Sequence, residues 1–352
     1  MTEFPTLKIA MVGPRGVGKT SVLVSMYDEL EEELADYGCN FVAENRTARM
    51  LNEQRRILTT TASGRKLRMN NKVGIKASTE LREYDFSLNI TGNKGATLNL
   101  QFVDMPGEWY LKSDSKMVDV LSQSRASLWV IDATALMEDD GDYNSSINEP
   151  KSIYNAFKMA FKDRDSGRHD IIMVLARAET YLQQDRNGNN RREELLQKLS
   201  HTYKDHIKRL RSQLKDNFDD LIDVCCVETM GNAYFSHFKD ADTENPQAEF
   251  ILDTKKGYAP NGCSRPLRAA LLLTLAHALG IAKKGFSMKK IGYDGKHFAR
   301  ELRGTIMQAH RRREPWWETL LRMFGGVPLS DAIAEAICKM AERIKDDDYS
   351  EI

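Results

Sequence analysis

The sequence lacks any imbalance of charge and any long apolar segment. Lysine and arginine together number 51, aspartate and glutamate also number 51, and the formal net charge at pH 7 is zero. Such a balance produces no overall field that would attract nucleic acid or an anionic membrane. No apolar run approaches the roughly 18 residues that a bilayer-spanning helix requires, and no apolar signal stretch precedes the first predicted strand. We therefore expect a cytoplasmic protein that binds no nucleic acid and makes little contact with membranes.

Cysteine is scarce and poorly arranged for chemistry. The chain has five cysteines, an odd number, and their spacing does not match that of metal ligands. Cys225 and Cys226 lie inside an apolar run, which is typical of buried, reduced thiols. The cysteines are therefore not expected to form a metal site.

The most informative stretch is the glycine-rich run GPRGVGKT at residues 13–20. It follows the apolar run of residues 7–12 and precedes a helical pattern, the strand, loop and helix context of a phosphate-binding loop. In such a loop the backbone N–H groups and the helix N-terminus surround phosphate oxygens. Lys19 is predicted to reach the β and γ phosphates, and the Thr20 hydroxyl to bind Mg²⁺. The predicted nucleotide-contacting residues here are Gly13, Arg15, Gly16, Val17, Gly18, Lys19, Thr20 and Ser21.

A second candidate segment follows a predicted β-hairpin. Residues 84–90 and 98–103 alternate in polarity, and a glycine-containing turn joins them. The second strand ends at Asp104, which is predicted to supply a Mg²⁺ carboxylate, and the Gly107 N–H is predicted to meet the γ-phosphate. Taken alone, this segment is equally typical of a strand-ending Asp-Pro-Gly turn.

The remaining pattern predicts an α/β protein. Near-continuous apolar runs at residues 127–133, 171–175 and 224–227 are typical of strands buried on both faces, and helical patterns separate them. This alternation predicts a doubly wound, mostly parallel sheet with one antiparallel hairpin strand, and ligands bind such sheets at the carboxyl ends of the strands. The predicted domain spans residues 1–284, with polar insertions at about 36–76 and 239–263. Residues 285–352 are predicted to form a helical extension.

These features together are similar to the P-loop GTPases of the translation-factor and Ras-like (TRAFAC) class, and most similar to the bacterial double-GTPase-type proteins of conflict and phage-defence loci. The resemblance implies a switch threonine that contacts Mg²⁺, at Thr79 or else Ser78. Its guanine-reading motif, Asn-Lys-any-Asp, falls on Ala-Arg-Ala-Glu at residues 176–179. In this motif Arg177 would stack on the base and Glu179 would accept the two guanine N–H donors. Thr229 lies in the loop that replaces the last base-contacting loop.

The resemblance also implies catalytic residues. Glu108 stands where many relatives carry a glutamine that orients the attacking water. Arg15 occupies a glycine position of the phosphate loop. There it would act as a built-in arginine finger, or it would obstruct an arginine finger supplied by a partner. Lys19 completes the predicted catalytic set.

The leading hypothesis is a Mg²⁺-dependent switch that binds GTP and GDP, hydrolyses GTP slowly, and acts on a partner protein or subunit through Thr79, residues 104–108 and the C-terminal helices. The alternative functions are a P-loop ATPase or kinase, and a scaffold that binds nucleotide without hydrolysing it. The sequence is also compatible with an oligomeric protein. The basic and tryptophan-rich segment at residues 311–317 suits folding back on the domain, a partner or an anionic surface.

Overall fold

The computed structural model describes residues 6–36, 38–63, 68–69, 79–90, 97–112, 114–162, 169–184, 188–213, 222–239, 246–278, 339 and 350–351. Within them the strands are β1 (Thr6–Val12), β2 (Cys39–Ala43), β3 (Arg68–Met69), β4 (Arg82–Ile90), β5 (Thr97–Asp104), β6 (Ala126–Asp132), β7 (Asp170–Ala176), β8 (Ile222–Cys226), β9 (Ala233–Lys239), β10 (Gln247–Leu252) and β11 (Ser350–Glu351). The helices are α1 (Lys19–Ala35), α2 (Asn45–Ala62), α3 (Glu108–Lys112), α4 (Ser115–Gln123), α5 (Ala133–Met137), α6 (Pro150–Phe161), α7 (Glu179–Leu182), α8 (Arg192–Gln213) and α9 (Arg265–Ala278).

The main sheet has the strand order β11-β8-β7-β6-β1-β5-β4-β2. Strand β1 pairs in parallel with β5 and β6, and the parallel pairing continues through β7 to β8. The apolar runs that form β6 and β7 are buried at every position, as their sequences predict. The predicted α/β class with a mostly parallel sheet is confirmed.

Two hydrophobic cores cover the two faces of this sheet. Alternate residues of β1 point to opposite sides, so that Ile9 and Met11 join the core with α1, α2 and α9. Ala10 and Val12 join the other core, which includes the apolar faces of α4, α6 and α8. Trp129 is fully buried in that second core, with its ring centroid 5.3 Å from that of Tyr203. Because β1, β5, β6 and β7 run parallel, the loops that follow them lie at one edge of the sheet.

The main sheet contains antiparallel pairs in addition to the predicted hairpin. Strand β4 pairs antiparallel with β5 as predicted, but β2 also pairs antiparallel with β4, and β11 with β8. Strand β2 lies inside residues 36–76, which the sequence predicted as a polar insertion. The strand forms because Cys39, Phe41 and Ala43 alternate with polar or exposed positions and bury one face against the sheet.

The segment at residues 239–263, predicted as a polar insertion, contains a strand over part of its length. Strand β10 lies within it and joins β9 and β3 in a second, three-stranded antiparallel sheet. Ala248, Phe250 and Leu252 are its buried positions, a two-residue period that the sequence already contained.

Of the predicted C-terminal extension, residues 285–352, the structure describes residues 339 and 350–351. The prediction of a helical extension therefore falls almost entirely outside the described residues, and the 311–317 segment lies wholly outside them. The domain boundary at residue 284 stays a prediction. Within the described part of the chain, no helix has the length and apolarity to cross a membrane.

Candidate functional site

The glycine-rich loop joins the end of β1 to the start of α1. Gly13, Gly16 and Gly18 all have positive φ values, of 149°, 87° and 101°. Gly18 directly precedes the first turn of α1. The loop therefore has the backbone form that the sequence predicted, with the N-terminus of a 17-residue helix opening from it.

Lys19 folds over the loop that precedes it. Its Nζ donates hydrogen bonds to the carbonyl oxygens of Gly13, at 2.7 Å, and Pro14, at 3.0 Å. Burial lowers the pKa of the Lys19 amine from its ordinary value, and the Asp104 carboxylate partly opposes this shift. A buried ammonium held by neutral carbonyls is suited to an anion such as a phosphate, which would compensate its charge.

Thr20 and Asp104 are brought together as predicted. The Thr20 Oγ1 donates a 2.8 Å hydrogen bond to Asp104 Oδ2, and both residues are buried. Strands β1 and β5 are parallel neighbours with Met11 opposite Asp104, which explains why the two loops meet. A hydroxyl and a carboxylate oxygen side by side are ligands that Mg²⁺ accepts.

Gly107 lies directly against the phosphate loop. A Cβ at this position would lie 2.1 Å from the Arg15 nitrogen and 2.6 Å from the Pro14 carbonyl carbon. Only glycine permits this approach, so the turn after β5 and the glycine-rich loop form one surface.

The two remaining predicted catalytic groups contact each other. Arg15 Nη1 donates to Glu108 Oε1 at 3.4 Å, and the two side chains are 60% and 50% exposed. Glu108 begins α3, whose buried Tyr110 donates a 3.4 Å hydrogen bond to the Met11 carbonyl oxygen. The pair thus lies on the solvent side of a turn that is anchored beneath β1.

Thr79 lies near this edge of the sheet, at the entrance to β4. It precedes β4, whose first residue, Arg82, pairs with Asp104, and its side chain is exposed. Among the described residues, no hydrogen bond connects Thr79 with Thr20 or Asp104. The other switch candidate, Ser78, lies outside the described residues.

Arg177 contacts the phosphate loop. It follows β7 with a positive φ of 59°. Its Nη2 donates to the Gly16 carbonyl oxygen at 2.6 Å, its Nη1 donates to the Asp132 carboxylate, and its guanidinium carbon lies 5.7 Å from the Phe250 ring centroid. This arrangement links the end of β6, the phosphate loop and the second sheet.

Glu179 begins α7 and is only 1% exposed. Its Oε1 accepts hydrogen bonds from the backbone N–H groups of Met230, at 2.9 Å, and Gly231, at 3.2 Å. Burial raises the pKa of the Glu179 carboxyl to about 7. Thr229 is also buried, in the same loop, and its carbonyl oxygen accepts a 2.6 Å hydrogen bond from Ser25 Oγ.

Sequence reasoning missed two residues of this site, Asp132 and Ser25. Asp132 ends β6, caps α5 through the Thr134 N–H, and holds Arg177. A carboxylate that ends an apolar strand at the ligand edge of a parallel sheet was the available signal. Ser25 is a fully buried polar residue of α1, and nothing in its local sequence indicates its distant partner.

The donor set fits a nucleotide with one bound cation rather than a protein-only metal centre. The described residues contain no cluster of three or more histidine, cysteine, aspartate or glutamate side chains that could hold a metal ion. Thr20 and Asp104 supply two oxygens only, so a cation here would need further ligands, such as phosphate oxygens and water.

Comparison with known proteins gives this geometry a family. The model of the family described as Double-GTPase 2 matches residues 8–223, well over half of the 352-residue chain. The chain belongs to the Double-GTPase 2 family. Membership confirms the sequence-based resemblance and identifies a GTP-binding protein with a GTPase fold. No curated protein matches the chain.

Two solved structures show a distant likeness to this chain. The signal recognition particle receptor SRb in its GTP/SRX complex from Chaetomium thermophilum is 16% identical, with a TM-score of 0.37 and coverage of 66% of this chain and 94% of that chain. The S. cerevisiae Ski7 GTPase-like domain bound to GTP is also 16% identical, with a TM-score of 0.37 and coverage of 65% of this chain and 44% of that chain. Neither likeness bears on function.

Proposed function

We propose that the protein is a Mg²⁺-dependent molecular switch that binds GTP and hydrolyses it slowly. The observation that carries the proposal is the 2.8 Å hydrogen bond between Thr20 and Asp104, immediately beside the buried Lys19 amine. Lys19 and Thr20 begin α1 and Asp104 ends β5, so these groups meet only in the folded chain. Together they offer cation ligands and a phosphate counter-charge within one small site.

Each residue has a defined role in this proposal. Thr20 and Asp104 hold Mg²⁺, which when bound neutralises phosphate charge, and Lys19 binds phosphate oxygens. Glu108 accepts the proton of the water that attacks the γ-phosphorus as the bond to the bridging oxygen breaks. Arg15 places positive charge beside that reaction.

The test is a titration of the full chain with fluorescent GTP, with and without Mg²⁺, for the parent and Thr20→Val. We expect binding in the parent to require Mg²⁺, and the valine variant, which keeps the shape but lacks the hydroxyl, to lose that requirement together with affinity. Thr59→Val on the exposed face of α2 is the matched control and should behave as the parent. Parent binding that is indifferent to Mg²⁺ would contradict the proposal.

The output of the switch is proposed to pass to a partner protein through Thr79 and residues 104–108. The exposure of Thr79 and Glu108, on segments that flank the site, supports this proposal. The resemblance to double-GTPase-type proteins further suggests a role in bacterial conflict. A phage plaque assay on cells that carry the parent or a Lys19→Ala variant tests this role. We expect the parent to reduce the number of plaques and the variant not to do so. Equal plaque numbers on both kinds of cell would contradict a role in defence.

A scaffold that binds nucleotide without turnover is the second candidate. The contact between Arg15 and Glu108 favours it, because each group occupies a hydrogen-bonding position of the other. Single-turnover phosphate release separates the two functions, since the scaffold releases none.

A further inference from the structure

Arg177 has little freedom to stack on a base. Its guanidinium donates to the Asp132 carboxylate and to the Gly16 carbonyl oxygen, and one face lies over Phe250. The Asp132 side chain is 1% exposed and the Arg177 side chain 19% exposed, so the ion pair is shielded from water. The residue therefore connects loops rather than presenting a free cation to the site.

Glu179 is enclosed even more completely. A carboxylate that reads guanine must offer both oxygens to the two N–H donors of the base edge. Here Oε1 already accepts from two backbone N–H groups, of Met230 and Gly231. Oε2 is buried and has no hydrogen-bond partner among the described residues. With 1% of the residue exposed, neither oxygen is open to a ligand in this conformation.

The loop at residues 228–231 is fixed from its other side as well. The Met230 carbonyl oxygen accepts from the Ala259 N–H at 2.9 Å, and Glu228 and Asn261 exchange two backbone hydrogen bonds of 3.0 Å. Gly231 has a φ of 72°, and a Cβ there would lie 1.7 Å from the Ala259 carbonyl oxygen. The loop thus lies between the Glu179 carboxylate and the segment around Ala259, and hydrogen bonds hold it from both sides.

We infer that Glu179 is a positioning residue, which anchors the loop at residues 228–231 through the Met230 and Gly231 N–H groups, and that it does not read the nucleotide base. The affinity test of this inference rests on the proposed nucleotide binding, whereas the hydrogen-exchange test does not. Its consequence concerns specificity. Changes at Glu179 should affect all purine nucleotides alike, because they act through the loop and not through the base edge.

The affinity test compares GTP with ITP, which lacks the exocyclic amino group that a guanine-reading carboxylate binds. Dissociation constants for both are measured with the parent, Glu179→Gln, Glu179→Ala and the control Glu193→Ala, an exposed carboxylate on α8. We expect the GTP to ITP affinity ratio to stay within about twofold across all four proteins. A reading carboxylate would contribute about tenfold or more to that ratio. A ratio that falls by that amount in both Glu179 variants would overturn the inference.

A second measurement does not depend on nucleotide. Amide hydrogen exchange of Met230 and Gly231 should quicken in Glu179→Ala and stay slow in Glu179→Gln, which keeps an acceptor oxygen at the same position. Unchanged exchange in the alanine variant would also overturn the inference. If the parent bound neither GTP nor ITP, the proposed function would fail, while the exchange result would still decide the role of Glu179.

Discussion

The Arg15 guanidinium donates a 3.4 Å hydrogen bond to the Glu108 carboxylate, so the two candidate catalytic side chains form an exposed ion pair across the site. The Arg15 side chain is 60% exposed and the Glu108 side chain 50% exposed. Because water screens such a pair, it contributes little to folding stability. Substitutions at either residue should therefore change turnover without unfolding the protein.

The first prediction concerns turnover. Glu108→Ala should nearly stop phosphate release while GTP binding persists, because the acceptor for the water proton is lost. Arg15→Gly should slow the rate, from about 10⁻² s⁻¹ toward about 10⁻⁴ s⁻¹, as expected when an arginine in cis is removed. Single-turnover phosphate release measures both effects, and thermal melting checks the fold. A faster Arg15→Gly protein would show that the arginine obstructs the site, and an unchanged Glu108→Ala rate would remove the carboxylate from the mechanism.

The second prediction concerns Asp132 and Arg177. Asp132→Asn keeps an acceptor for the Thr134 N–H but removes the charge that holds Arg177, so nucleotide should dissociate faster as the phosphate loop loses its support. A double-mutant cycle with Arg177→Lys should give a coupling energy above about 1 kcal/mol, because the pair is buried. Thr134→Val is the matched control, since it removes a different Asp132 contact. Additive effects of the two substitutions would show that the pair does not act as a unit.

The third prediction concerns pH. Burial raises the pKa of Glu179 from 4.5 to about 7, so the folded protein binds this proton more tightly than the unfolded chain does. The contribution of Glu179 to stability is therefore greatest below pH 4.5 and is lost as the pH rises to about 7, by an amount on the order of 3 kcal/mol. Glu179→Gln does not titrate. Denaturant unfolding between pH 4.5 and 8 should show the parent losing stability relative to this variant, and a difference that is constant with pH would contradict the assignment.

The parts of the site that the sequence predicted are local or follow from strand order. Residues 13–20 are contiguous, with an apolar run before them and a helical pattern after them, so the loop between a strand and a helix could be predicted directly. Asp104 could be placed because it ends a strand, and parallel strands bring such ends to one edge. Both inferences need only the pattern of the chain.

The missed parts depend on contacts between distant residues. Ser25 and Thr229 are separated by 204 positions, and no pattern of α1 indicates that its buried serine meets that carbonyl. Glu179 satisfied the spacing of a base-reading residue, but spacing cannot show that the backbone of Met230 and Gly231 already binds its carboxylate. Strand β10 was missed for a different reason: its alternation is short and lies within a polar segment, where composition favoured a loop.

The most direct test of nucleotide binding at the phosphate loop is the affinity of the Lys19→Ala variant for GTP in the presence of Mg²⁺. Within the described part of the chain, the buried Lys19 amine donates hydrogen bonds to the carbonyl oxygens of two neighbouring loop residues, Gly13 and Pro14, so its removal should leave the fold intact. Loss of its charge-assisted hydrogen bonds to phosphate should weaken binding by about 100-fold or more. Lys158→Ala, an exposed lysine on α6, is the control and should bind as the parent does. If Lys19→Ala binds GTP as tightly as the parent and this control, the phosphate loop is not the nucleotide site.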